Sequence, residues 1–304
     1  MLDNIAFFEG KFIPFKDAKI SIMTHAFLYG TSVFEGIRAY WNEKKKKFYL
    51  FRALEHFERF KNSTKILRMN LKYNTKELVD LSCELIKKNS YKEDIYIRPT
   101  AYKSSLKIGP SLINTEDDFC MFTMPMGDYI DTKKGIAVCT SSWQRVEDNS
   151  IPARAKISGS YINTALAKAE AQLNNFADCL MLDDRGHICE GSAMNFFMIK
   201  NNKLITSPIY SDLLEGVTRD SIIKIAKQEL NLEVVEREID RSEAFLADEL
   251  FFCGTGAQVS PISSVDHYIV GNGAIGEITA KLQEIYFAIV KGENPKYSNW
   301  YIEI

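Results

Sequence analysis

The chain reads as an α+β protein of two domains, and three observations lead there. At 304 residues, with 46% hydrophobic and 26% charged, it has the length and composition for one or two well-filled cores. Strand-like alternation and helix-like periodicity interleave along its whole length. Met126 to Lys134, MGDYIDTKK, is a polar break between two such blocks and the best linker candidate. The expected division is 1–126 as an N-terminal domain, 127–134 as linker and 135–304 as a C-terminal domain.

In the first block, Ala6 to Ile13 reads as a hairpin turning at Glu9–Gly10. Phe34 to Tyr40 and Lys47 to Phe51 read as strands joined by a solvated tip of four lysines, Lys44 to Lys47. Arg52 to Met69 carries a rough apolar face of Leu54, Phe57, Phe60, Ile66 and Leu67. Thr75 to Asn89 is a second helix, with Thr75 as its expected cap and Leu78, Leu81, Leu85 and Ile86 facing inward. Asp94 to Tyr102 is a strand that puts Tyr96 and Arg98 on one side, since side chains alternate with period two. Asp118 to Met124 is another.

In the second block, Gly135 to Arg145 reads as a strand and Ser160 to Leu173 as a helix burying Ala165, Leu166, Ala169 and Leu173. Cys179–Leu182 turns at Asp183–Gly186 into His187–Glu190. Asn195–Ile199 pairs with Lys203–Thr206 across Asn201–Asn202. A helix opens at Leu214 to Ser221, with Thr218 as its expected cap, and runs to Leu230. Glu249 to Cys253 is a strand ending at Gly254-Thr255-Gly256, and Ile275 to Val290 is the last helix.

Several function classes are disfavoured. Net charge is −2, with no basic footprint for nucleic acid. No apolar run reaches the roughly 18 residues of a membrane span. The N-terminus carries Asp3 and no long apolar core, unlike a secretory signal. Six cysteines without CxxC spacing fit free thiols in a reducing cytoplasm, and four scattered histidines suggest no metal site. A nucleotide-binding α/β protein lacks its GxGxxG or Walker lysine.

Three features carry chemistry. Lys156 sits among small and apolar residues in IPARAKISGSYINTALAKAEA; it is either a surface lysine or a desolvated amine usable as nucleophile and base. Glu190 ends a strand read as buried, so its carboxylate needs a partner: a structural one, or a cationic ring nitrogen. Gly216-Val217-Thr218 at a helix start and Gly254-Thr255-Gly256 at a turn offer backbone N–H groups that can hold an anion. A reactive lysine, a buried acid and a phosphate cradle are together what pyridoxal 5'-phosphate needs; spacing alone does not establish that they converge.

The stretch Glu190-Gly-Ser-Ala-Met-Asn-Phe-Phe197, then Leu204-Ile-Thr206 and Leu214-Glu-Gly-Val-Thr-Arg219, resembles the extended motif of the class IV aminotransferases. Tyr29-Gly-Thr-Ser-Val-Phe-Glu-Gly-Ile-Arg38, His56-Phe-Glu-Arg59, Tyr96-Ile-Arg-Pro99, Ala155-Lys156 with Tyr161, and Gly254-Thr255 resemble the branched-chain members most closely. That resemblance implies a two-domain fold of type IV: a smaller N-terminal α/β domain and a larger C-terminal domain with a β-barrel-like sheet. It implies Lys156 as the Schiff-base lysine, Glu190 as partner of the pyridine nitrogen and Tyr161 as donor to the phenolic oxygen. Arg59, Val217, Thr218 and Thr255 would hold the phosphate. Thr255–Gly256 and Tyr96 would hold the substrate α-carboxylate. Phe34, Tyr29 and Tyr129 would wall an apolar pocket beside Gly36, and Arg98 with Tyr29 and Tyr129 would receive glutamate's second carboxylate. The implied reaction exchanges the amino group of leucine, isoleucine or valine with 2-oxoglutarate, in a cytoplasmic homodimer or hexamer whose pocket a neighbour's loop completes. Lys103 to Pro110 is the kind of segment that would do so. D-amino-acid aminotransferases, amine transaminases, aminodeoxychorismate lyases and a non-catalytic cofactor-binding homologue remain alternatives. Gly256 stands where alanine is frequent, Met194 where a polar residue is frequent, and Glu215 in place of a common proline.

Overall fold

The computed structural model describes residues 4–127 and 134–304. They fall into two compact units: 4–127 with Ala155–Ser160 and Ala288–Ile304, and 134–154 with Tyr161–Phe287. The expected linker, 127–134, falls largely on residues 128–133, which lie outside the described residues.

In the first unit the hairpin forms as read, from β1 (Ile5–Phe8) and β2 (Lys11–Pro14), with Gly10 at φ +79° in its turn. Then come α1 (His25–Tyr29), β3 (Ser32–Phe34), β4 (Ile37–Asn42), β5 (Lys47–Phe51), α2 (Ala53–Ile66), α3 (Thr75–Asn89), β6 (Ile95–Lys103) and β7 (Asp117–Pro125). The antiparallel sheet runs from the C-terminal strand Tyr301–Glu303 through β5, β4, β6, β7 and β1 to β2, with β3 also paired to β6. α2 and α3 pack on it, burying Phe57, Phe60, Leu78 and Leu85 completely. Each such side chain contributes about 1.5–3 kcal/mol.

The stretch read as one strand from Phe34 to Tyr40 is broken at Glu35–Gly36. β3 pairs Phe34 with Thr100, and β4 pairs Ile37 with Ile97, so the break faces Arg98–Pro99. Proline has no N–H to give a ladder, so the break lies where no backbone donor goes unpaired. The Glu35 N–H donates to the Pro99 carbonyl (3.1 Å) across it.

The second unit contains β8 (Ile136–Thr140), α4 (Tyr161–Leu173), β9 (Asp178–Leu182), β10 (Ile188–Gly191), β11 (Asn195–Lys200), β12 (Lys203–Thr206), α5 (Val217–Glu229), β13 (Glu233–Glu236), β14 (Glu249–Gly254) and β15 (Gln258–Val265). Pairing runs β10–β9–β8–β15–β14–β11, and β11 also pairs β10, closing a six-stranded barrel. β12 and β13 extend it. Its apolar cluster includes Val138, Leu180, Phe196, Met198, Phe252 and Ile262.

Several local expectations change: Leu54 and Ile66, read as part of the apolar face of α2, are 48% and 37% exposed. Asn74, not Thr75, caps α3, in a reciprocal capping box with Glu77. β8 stops at Thr140 instead of reaching Arg145. The inward residues of α4 are Ala167 and Ala171, against Cys179 and Met181, whereas Leu173 is 84% exposed. Its larger apolar residues Ile162 and Leu166 are also exposed (67% and 38%), so hydrophobicity does not mark the face; the smallest side chains take it, where they allow the closest approach to the strands. Finally, Gly216 rather than Thr218 is the N-cap of α5.

Candidate active site

Lys156 belongs to the first unit, on a segment strapped to β3 and α2. The Phe34 N–H donates to the Lys156 carbonyl (3.0 Å), the Lys156 N–H donates to Ser63 Oγ (3.1 Å), and Ile157 bridges Val33. Gly159 and Gly30 allow this contact: the Gly159 N–H donates to the Gly30 carbonyl (3.1 Å), and a Cβ on Gly30 would lie 2.8 Å from Gly159 Cα. The Lys156 ammonium lies 5.0 Å from the centre of the Phe34 ring. Its peptide is thus fixed at three points and its amine faces an aromatic wall.

The same ring carries a second cation. Arg98 lies 4.2 Å from the Phe34 ring centre and 5.2 Å from that of Tyr96. Gly36 is tight for a specific reason: a Cβ there would meet Tyr96 Oη at 2.4 Å. Lys156, Phe34, Gly36, Tyr96 and Arg98 therefore form one neighbourhood. Tyr29, at the end of α1, accepts the Gly109 N–H on its hydroxyl (2.8 Å). Tyr129 lies outside the described residues.

Arg59 is held by a group that the sequence reading did not single out. Glu35, fully buried, accepts Arg59 Nε on Oε1 (2.7 Å) and Arg59 Nη2 on Oε2 (2.8 Å). His56 Nδ1 lies 2.9 Å from Oε2, and since a carboxylate only accepts, Nδ1 carries the hydrogen. Burial alone would raise the Glu35 pKa, but the Arg59 charge and the bonds from His56 and Arg59 outweigh it and hold it far below the usual carboxylate range. Burial pushes the His56 pKa down despite the Glu35 bond. Ser63, one turn beyond Arg59, donates to the Arg59 carbonyl (3.0 Å) while accepting from Lys156. One helix, α2, thereby positions both the Arg59 guanidinium and the Lys156 peptide.

The second unit holds the acid and the helix start. Glu190 is 4% exposed at the end of β10, and the partner its burial demands is Arg145, whose Nε lies 2.9 Å from Oε1. Asn195 Nδ2 lies 3.4 Å from Glu190 Oε2 and donates to the Leu214 carbonyl (2.9 Å). A Cβ on Gly216 would fall 2.0 Å from Asn195 Oδ1. Asn195 therefore ties the carboxylate to the loop that enters α5. Gly216, which has no side chain, stands at the N-cap of α5, and Val217 and Thr218 form its first turn. Thr255 and Gly256 lie in the turn joining β14 to β15, and Tyr161 opens α4.

Ser63, Glu35, Arg145 and Asn195 are the additions. Glu35 and Asn195 stand inside the motifs quoted above, next to residues given roles, but nothing in the pattern shows what they touch. Arg145 and Ser63 carry no signal in the sequence.

The family described as amino-transferase class IV matches residues 32–265. The chain is 47% identical over 297 residues to a probable branched-chain-amino-acid aminotransferase of Aquifex aeolicus, covering 98% of this chain and 96% of that one. In structure it is similar to the branched-chain amino acid aminotransferase of Thermobaculum terrenum in its PLP form (TM-score 0.95, 34% identity, 99% and 98% of the two chains). It is also similar to the branched-chain aminotransferase of the thermophilic archaeon Thermoproteus uzoniensis with norvaline (TM-score 0.94, 35% identity, 99% of each chain). On motif, barrel and near full-length identity alike, the chain belongs to the class IV aminotransferase family.

Proposed function

We propose that this chain is a branched-chain-amino-acid aminotransferase that exchanges the amino group of leucine, isoleucine or valine with 2-oxoglutarate, using pyridoxal 5'-phosphate. The observation that carries the reading is the Phe34 ring, which faces the Lys156 amine at 5.0 Å and the Arg98 guanidinium at 4.2 Å. An apolar face beside the nucleophile suits a branched side chain. An arginine on that same face suits the distal carboxylate of glutamate. One pocket can then take both partners in turn, as a two-stage exchange requires.

The residues fit the cofactor. Glu190, buried and ion-paired, suits a cationic ring nitrogen, and the N-terminal end of α5, where the helix dipole is positive, suits a phosphate. The cofactor supplies an aldehyde for the lysine and a ring that draws in the electron pair left at the substrate carbon. Lys156 Nζ takes the proton from the substrate Cα. Glu190, its charge held in place by Arg145, keeps the ring nitrogen protonated. Ser63 and the β3 contact keep the lysine backbone still while its side chain changes partners. With the cofactor bound, Tyr161 would donate to the phenolic oxygen, Arg59, Val217, Thr218 and Thr255 would hold the phosphate, and Tyr96 with Thr255–Gly256 would hold the α-carboxylate. Tyr29 would join Arg98 at the distal carboxylate.

The working form is a homo-oligomer with a dimer as its least unit. Supporting this, Ile22 (80% exposed), Phe27 (64%), Leu106 (59%) and Ile108 (74%) lie on two segments of the first unit joined by the Thr24–Leu106 bridge. Exposed apolar residues so grouped suit contact with a second copy. A cytoplasmic location agrees with the six free cysteines, all outside disulfides.

The test is the absorbance spectrum of the purified protein, read again after L-leucine and, separately, after D-alanine. The expected result is a visible band that L-leucine alone abolishes, and that Lys156→Ala lacks along with turnover. Conversion by D-alanine alone would place the chain with the D-amino-acid enzymes; no band with added cofactor would end the reading.

A further inference from the structure

Beyond Leu106 the loop 104–116 is held to α1 by side chains. The main chain is laced to this region up to that point: the Lys103 N–H donates to the Thr31 carbonyl (3.1 Å), the His25 N–H donates to the Ser105 carbonyl (2.9 Å), and Thr24 bridges Leu106. Three residues on, Gly109 is gripped on both its polar groups. Its carbonyl lies 2.9 Å from His25 Nε2, and its N–H donates to the Tyr29 hydroxyl at 2.8 Å.

His25 is 0% exposed and both ring nitrogens have partners. A carbonyl can only accept, so Nε2 carries the hydrogen. In the neutral ring Nδ1 then accepts from the Thr31 hydroxyl, 2.7 Å away. The Gly109 carbonyl thus fixes the tautomer, and Thr31, whose hydroxyl can donate or accept, satisfies the other ring nitrogen. The imidazole also lies against the Tyr29 ring, with centroids 4.9 Å apart. The gripped peptide sits at φ +111°, where glycine is the residue without strain.

The consequence falls on Tyr29. Its oxygen accepts from a fixed backbone donor, so its own hydrogen must point away from that donor. Accepting one hydrogen bond also polarises the O–H and makes it a better donor. A phenol so held gives a hydrogen bond outward and suits an anionic acceptor. We propose that His25, through the Gly109 peptide, is a positioning residue that fixes Tyr29 as a donor to the second carboxylate of the dicarboxylate substrate, and so sets how well the enzyme takes glutamate and 2-oxoglutarate relative to leucine. This rests on the reading of Tyr29 as a receiver of that carboxylate.

The experiment measures KM and kcat for 2-oxoglutarate and for leucine in the holoenzyme and its Tyr29→Phe, His25→Asn, His25→Gln and Tyr29→Phe/His25→Asn variants. Removing a hydrogen bond to a charged group is worth about a tenfold rise in KM. Tyr29→Phe, which keeps the ring and removes the hydroxyl, is expected to raise the 2-oxoglutarate KM about tenfold relative to the leucine KM. His25→Asn, whose amide stands in for Nδ1 and falls short of Gly109, should give the same split. His25→Gln, whose amide can replace Nε2, should recover most of it. The double variant should be no worse than Tyr29→Phe, because both changes remove one device. A 2-oxoglutarate KM unchanged in His25→Asn but raised in Tyr29→Phe overturns the clamp and leaves the Tyr29 reading standing. An unchanged KM in Tyr29→Phe overturns that reading, and the clamp with it. Should His25→Asn not fold, Gly109→Ala, strained at the same peptide, must give the split, and wild-type KM values there count against the proposal.

Discussion

Glu35 is where the charges of the lysine-bearing unit are balanced. A buried carboxylate without partners would be costly; with Arg59 bidentate and His56 at 2.9 Å it is a fixed anion that aims the arginine. His56 gives this cluster a pH signature. Its folded pKa lies below the unfolded value of about 6.5, so below that pH the unfolded chain takes up a proton that the folded chain refuses. Stability is therefore whole above about 6.5 and declines on acidification through that range. Glu35, with a depressed pKa, contributes above its unfolded value of about 4.3 and loses that contribution only at lower pH, so it does not act in the same window. His56→Asn keeps a donor near Glu35 and removes the titration. Urea midpoints measured from pH 7.5 to 5.5 should fall more steeply for the wild type than for this variant; parallel curves would show that His56 does not carry the effect.

Among the elements, the start of α5 is constrained by a single glycine. Gly216 has φ −72°, which any residue can adopt, so the demand for glycine there is spatial. Its neighbour is Asn195, which also touches Glu190 and the Leu214 carbonyl. A methyl group at Gly216 must push either the asparagine or the helix start. Gly216→Ala is expected to cost about 1–3 kcal/mol of stability by overpacking. It should also weaken pyridoxal 5'-phosphate binding, read by titrating the apoprotein with the cofactor. Serine, ordinarily a better N-cap than glycine, should do no better here, since it brings the same Cβ. Unaltered cofactor affinity in Gly216→Ala would separate the helix start from the phosphate.

For the whole molecule, the apolar residues around the Thr24–Leu106 bridge predict association. Sedimentation of the wild type at micromolar concentration should give a dimer or a larger assembly. Phe27→Glu with Ile108→Glu, which puts charge onto exposed positions without entering a core, should give smaller species with the fold retained by circular dichroism. A monomeric wild type would leave those residues unexplained and remove the neighbour from the pocket. None of the described helices is long and apolar enough to cross a membrane.

Much was legible along the chain because it depends on residues near one another in sequence. The hairpin at Glu9–Gly10, the helices α2 and α3, and the strand that puts Tyr96 and Arg98 on one side all follow from period and turn chemistry. The need for a partner at Glu190 was equally plain from a carboxylate placed in a buried strand. Which residue answers it was not: Arg145 is 45 positions away, brought there by β8–β9–β10 pairing, and an arginine after a strand looks like any other. The same holds for Ser63 under Lys156, for Glu35 behind Arg59, and for the alanine face of α4. Barrel closure, too, rests on the single β10–β11 pairing, which no local pattern announces. Local propensity is written in neighbouring side chains; contact between distant ones exists only once the chain has bent back, and that contact selects the charged partner, the packed face and the direction of a hydroxyl.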